Sequence, residues 1–141
     1  MGSVWLLYIV LYTNALNPQI ESLIEYIKQE NEYPGLITAK RNNSSFIFNA
    51  REIELVRMEE GLIKLYDGDR RSYRGDGTLQ EVKEKLGKDF IRISKSVIIN
   101  IFSVSYVSPS ISGTMEVTMK NGMVDYISRK YLPDFKRRIG L

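Results

Sequence analysis

Two short blocks set cations beside small hydroxyls: Ser94-Lys95-Ser96, within Phe90 to Asn100, and Ser128-Arg129-Lys130, within Tyr126 to Tyr131. Lysine and arginine only donate hydrogen bonds, and a serine hydroxyl both donates and accepts. Together they suit phosphate oxygens and the acceptor edges of guanine. Covalent and metal chemistry is poorly supplied. The chain has no histidine and no cysteine, so it lacks the usual base near neutral pH, the commonest metal ligand and any thiolate. No paired-acid motif supports carboxylate hydrolysis. Asp67-Gly68-Asp69 and Asp76 lack the ligand spacing of a calcium loop and read as turns. No enzyme, metal or cofactor is therefore expected.

Charge points the same way. The whole chain carries +3. Residues 1–34 set Lys28 against Glu21, Glu25, Glu30 and Glu32, whereas residues 90–141 hold eight basic residues against Glu116, Asp125 and Asp134. An acidic start and a basic end suggest that the C-terminal half meets a polyanion.

The elements that must position these blocks are mostly strands. At 141 residues with 43% hydrophobic and 26% charged composition, the chain can bury one ordinary core. Val4 to Tyr12 reads as a buried strand, being much shorter than the roughly 20 residues of a membrane span. Asn17-Pro18 opens an amphipathic helix, with Ile20, Leu23, Ile24 and Ile27 on one face. From Gly35 the period becomes two. Turns are expected at Asn42-Asn43, Glu59-Glu60-Gly61 and Asp67-Gly68-Asp69. Ile53, Leu55 and Arg57 alternate there with Glu52, Glu54 and Val56. Thr78, with Glu81 three residues on, caps a helix carrying Leu79, Val82 and Leu86, which stops at Gly87. After the first block come a strand at Ser103 to Ser108, a turn at Ser110 to Gly113, and Thr114 to Met119. Asn121-Gly122 turns that last strand into Met123 to Ile127. Ser128 reads as the N-cap of a final basic helix through Arg138. Pro133 fits that interior poorly, so the helix either starts there after a looser turn or bends. Phe46, Phe48, Tyr66, Tyr73, Tyr106 and Tyr126 read as core and cross-strand pairs rather than a stacking platform for single strands.

Phe90, Arg92, Ser94, Lys95 and Ser96, then Val97 to Asn100, followed by Ser128-Arg129-Lys130-Tyr131 beyond an Asn-Gly hairpin, resemble the LytTR family of bacterial DNA-binding domains. The likeness reaches back to about residue 44. It implies a mainly β (α+β) fold, a row of small antiparallel sheets with short helices, here preceded by a strand-helix extension. It also implies loops at the sheet ends that enter successive major grooves of double-stranded DNA. The DNA-contacting residues so implied are Ser94, Lys95 and Ser96 in one loop and Arg129 and Lys130 in another. Arg57 opens a third loop, through Gly61, whose Glu59 and Glu60 depart from the cations expected there. Arg137, with Lys136 and Arg138, reads as solvated or as a general phosphate contact rather than as a sequence reader. For Lys95 the competing reading is an exposed turn lysine. For Arg129 it is a surface ion pair to Asp125 or Asp134. Arg92 alternates with buried residues and is ambiguous, an internal carboxylate being one candidate partner; it is not counted among the base readers.

Residues 1–40 form the expected extension and 41–141 the DNA-binding domain. About 40 leading residues are too few for the phosphoacceptor receiver domain many family members carry. The resemblance instead suggests a stand-alone cytoplasmic regulator, two protomers meeting on direct repeats, and a small membrane protein that restrains it. The competing reading is a protein-interaction module whose acidic N-terminal helix binds a membrane or cytosolic partner.

Overall fold

The computed structural model describes residues 35–141, which belong to one compact unit. The strand expected at 4–12, the helix opened by Asn17-Pro18 and its acidic face lie outside the described residues. The described chain runs β1 (Leu36–Arg41), β2 (Ser44–Asn49), β3 (Ile53–Glu59), β4 (Leu62–Asp67), β5 (Ser72–Gly75), α1 (Leu79–Leu86), β6 (Phe90–Arg92) and β7 (Val97–Asn100). It continues through β8 (Val104–Pro109), β9 (Met115–Met119), β10 (Val124–Ile127) and α2 (Leu132–Ile139). Seven strands form one sheet in the order β2-β1-β5-β4-β3-β7-β6, and three form another, β10-β9-β8. Every pairing is antiparallel. The architecture is the expected mainly β fold with short helices.

Turn chemistry sets the register. Asn42 and Asn43 adopt φ of 50° and 65°, the left-handed conformation a tight two-residue hairpin needs. Glu60 and Gly61 do the same between β3 and β4, at 52° and 77°. In the longer β4–β5 turn, Asp67 Oδ1 accepts from the backbone N–H groups of both Asp69 and Arg71, each at 2.9 Å. Side-chain acceptance of this kind makes aspartate a turn former.

The large sheet is covered on both faces. On one, Ile53, Val56, Ile63, Leu65, Phe90 and Ile98 meet α1 through Leu79, Val82 and Leu86. On the other, Leu55, Ile91, Val97 and Ile99 meet Val117, Met119 and Ile127 of the small sheet and Phe135 of α2. A strand buried on both faces reads as a continuous apolar run, which is what Val97-Ile98-Ile99 is. In β3 simple alternation breaks. The pairing with β4 shifts register between Ile53 and Leu55, so Ile53 and Val56 share the α1 face while Leu55 turns to the other. Glu54 at the bulge is consequently buried.

The helix ends follow local chemistry. Thr78 Oγ1 accepts from the Glu81 N–H at 3.1 Å, as its capping sequence predicts. The second helix corrects one expectation. Ser128 is not the N-cap: its carbonyl accepts from Tyr131 and Leu132 at 3.0 and 3.1 Å in a preceding turn. α2 then begins at Leu132, with Pro133 in its first turn. Proline is favoured there because its missing N–H would have had no helical partner.

Candidate nucleic-acid interface

The loop Ser94–Ser96 joins β6 to β7 and is held from four sides. Ile93 N–H donates to Val97 O at 3.0 Å, and Ser96 N–H to Ser94 Oγ at 3.2 Å. Met58 N–H of β3 donates to Ser96 O at 2.8 Å. Arg92, ambiguous in the sequence, spends its guanidinium on the loop itself and not on a carboxylate. Its Nε donates to Ser94 O at 3.2 Å and its Nη2 to Lys95 O at 2.6 Å. The backbone is thereby fixed while the Lys95 side chain is exposed and has no hydrogen bond or ion pair among the described residues.

The second block lies beside the first. Ser128 N–H donates to Ile93 O at 2.9 Å, so the chain entering α2 is stitched to the base of the Lys95 loop. Arg129 forms neither of its anticipated ion pairs. Asp125 is taken by Arg57 and Asp134 by Arg137. Arg129 Nη2 donates instead to the carbonyl of Ser112, in the β8–β9 loop, at 2.8 Å. Lys130 is exposed, with its ammonium 5.6 Å from the Tyr131 ring centre.

Strand register gathers these loops at one end. Met115 pairs with both Pro109 and Ile127, so the loops at 110–114 and 128–131 lie together. Arg57 pairs with Val97, and Met58 reaches Ser96, which brings the end of β3 alongside. Of the predicted residues, Ser94, Lys95, Ser96, Arg129 and Lys130 are thus neighbours. Arg57 is beside them but engaged: its Nε donates to Asp125 at 2.9 Å and its Nη2 to Val124 O at 2.8 Å. That contact ties the large sheet to the small one. Glu59, the acid expected to trouble this loop, is met by Lys64 at 3.3 Å and by the Tyr66 hydroxyl at 2.8 Å. Burial, and then the Glu59 carboxylate beside it, push the Tyr66 phenol above its ordinary pKa. Arg137 lies further along α2, exposed and paired with Asp134.

The opposite end shows what the sequence did not signal. Asn121 N–H donates to Glu54 Oε1 and Asn121 Nδ2 to Asp67 O, both at 3.0 Å, clamping the β9–β10 turn onto the large sheet. Burial raises the Glu54 pKa, offset in part by the Asn121 bond. The aromatic expectation divides. Phe46, Phe48 and Tyr73 pack together at 4.6–6.2 Å, but Tyr106 and Tyr126 are exposed on the small sheet. Among the described residues, no helix is long and apolar enough to cross a membrane.

Comparison with known proteins bears on the family and the fold. A sensory transduction protein LytT of Enterococcus faecalis is 30% identical over 97 residues, covering 68% of this chain and 40% of that protein. A sensory transduction protein LytR of Staphylococcus haemolyticus is 27% identical over 125 residues, covering 88% of this chain and 48% of its own length. The chain therefore spans under half the length of these relatives. Among solved structures, the LytTr DNA-binding domain of a protein described as a methyl-accepting/DNA response regulator, from Bacillus cereus, superposes with a TM-score of 0.70. The match covers 76% of this chain and 98% of that one at 21% identity, a likeness of fold. The model of the LytTr DNA-binding domain family matches residues 43–140, and the chain belongs to that family.

Proposed function

We propose that this chain is a sequence-specific regulator of transcription that reads double-stranded DNA through the loops gathered at one end of its sheets. The observation that carries the reading is the Ser128–Ile93 bond. It sets Lys95 beside Arg129 and Lys130 on a backbone that is already hydrogen-bonded, with the cationic heads outward. Lys95 and Arg129 donate to base edges in successive major grooves, and Ser94, Ser96 and Lys130 to the flanking phosphates. Arg137 adds a general phosphate contact. Arg92 and Arg57 act as positioning residues, Arg92 on the Lys95 loop and Arg57 between the sheets. Two protomers bind direct repeats as a dimer formed on DNA, and the residues ahead of β1 supply the surface for a regulatory partner such as a small membrane protein.

The test is selection from a random-sequence duplex pool, followed by footprinting of the enriched site. The expected result is an enriched repeated motif whose affinity falls linearly on a log–log salt plot. Recovery of no motif, or binding indifferent to salt, would overturn the reading.

A further inference from the structure

Resting on that reading, we infer that the β8–β9 loop, residues 110–114, is a further DNA contact, one that takes the sugar–phosphate backbone next to Arg129. The loop is closed on itself: Ser110 N–H donates to Thr114 O at 2.9 Å and Gly113 N–H to Ser110 O at 3.2 Å. Its three hydroxyls form a chain, Ser110 to Ser112 at 3.3 Å and Ser112 to Thr114 at 3.1 Å. Three O–H groups joined by two links leave one proton to donate outward, and a phosphate oxygen is the acceptor a DNA face supplies.

Two independent observations aim this loop at the duplex. Arg129 holds the Ser112 carbonyl at 2.8 Å. A base or phosphate taken by the remaining N–H groups of Arg129 therefore lies within a side chain's reach of Ser112. Phosphates follow one another without a gap along each strand, so the one next to the Arg129 contact is the group this loop is placed to meet. The second observation is Ile111, which stands fully exposed at the tip. An aliphatic group there suits the deoxyribose face between phosphates, and it offers a neutral site at which charge can be added without disturbing a packed core.

The experiment uses the whole chain with Ile111→Lys, Ile111→Asp and, as a control for net charge, Ser72→Lys on exposed β5. Each variant is titrated with a selected duplex and an unrelated duplex of equal length across salt concentrations. If the loop meets the backbone, Ile111→Lys steepens the log–log salt slope by about 1 relative to Ser72→Lys. Ile111→Asp weakens binding to both duplexes alike. A slope for Ile111→Lys equal to the control's, or wild-type binding by Ile111→Asp, overturns the loop assignment. Arg129→Ala separates the two levels. Loss of discrimination there, with unaltered Ile111 variants, sinks the loop and leaves the base reader standing. Discrimination intact in Arg129→Ala sinks that residue's reader role, while the Ile111 slopes still decide whether the loop meets DNA.

Discussion

The two ends of the sheets handle polar side chains in opposite ways. At the Asn121 end the side chains themselves are consumed: Asn121 binds Asp67 O, Glu54 accepts from the turn, and Asp67 accepts from two backbone N–H groups. At the Lys95 end the loop backbone is consumed and the Lys95 head is spared. Ser96 O, Ile93 O, Lys95 O and Ser94 O all have donors, while Lys95 has no partner among the described residues. A turn whose heads are satisfied internally is a joint. A turn whose backbone is fixed and whose heads face water is prepared to bind, because little ordering remains to be done on contact.

Removing the two exposed cationic heads is the strongest way to break the contrast. Lys95→Ala and Arg129→Ala should each cost about 1–3 kcal/mol of binding to a selected duplex and relax its base preference. Their combination should cost about the sum if the contacts are independent. Lys95 is exposed and without a partner among the described residues, so its loss should leave the melting temperature at the wild-type value. Arg129→Ala also gives up the bond to Ser112 O, worth about 0.5–1.5 kcal/mol. Wild-type affinity in the double variant would remove the functional half of the contrast.

Asn121→Ala attacks the other end. It strands the N–H of Met123, which donates to Asn121 Oδ1 at 2.9 Å, and removes one of the two donors of the Asp67 carbonyl, leaving the Arg70 N–H at 3.1 Å. The expected loss is about 1–3 kcal/mol of folding stability in urea denaturation. The salt slope of DNA binding should not move. A changed slope with unchanged stability would show that the joint is also a reader.

Arg92→Lys sharpens the boundary between holding and reading. A lysine keeps the charge but cannot span the carbonyls of Ser94 and Lys95 with a fixed fork. Each lost bond is worth about 0.5–1.5 kcal/mol. Discrimination between the selected duplex and a single-mismatch duplex should fall, with an unaltered salt slope. A slope reduced as it would be by a lost phosphate contact would make Arg92 a DNA contact instead.

Much of this contrast is legible in the amino-acid order, and the reason is locality. Asn42-Asn43, Asp67-Gly68-Asp69, Asn121-Gly122 and Thr78 with Glu81 specify turns and a cap within a few residues. The period-two stretches therefore fall into place around them. The Lys95 and Arg129 blocks could be singled out because cations beside hydroxyls interrupt a β pattern. What escapes is non-local pairing. Asp125 is 68 residues from Arg57 and Asn121 is 67 from Glu54, and nothing in either neighbourhood names its partner. The bulge at Glu54 hides a buried carboxylate inside an apparent alternation. The one local signal passed over is the hydroxyl density of Ser110, Ser112 and Thr114.

The finest test of the joint is Glu54→Gln. Burial raises the folded-state pKa of Glu54 above its ordinary value, against smaller opposing effects of the Asn121 bond and Lys120. The folded protein therefore holds the proton more tightly than the unfolded chain does. Its contribution to stability is fully present below the unfolded pKa and is lost as pH rises through the folded one. A glutamine keeps an oxygen for the Asn121 N–H and has no charge to desolvate. Denaturation curves from acid to neutral pH should show a wild-type decline, relative to Glu54→Gln, that starts in the carboxylate range and then levels off. At neutral pH the variant should be at least as stable as wild type. A variant less stable there would mean that the carboxylate's bond to Asn121 outweighs the cost of burying it, so that the joint depends on charge rather than on satisfied hydrogen bonds.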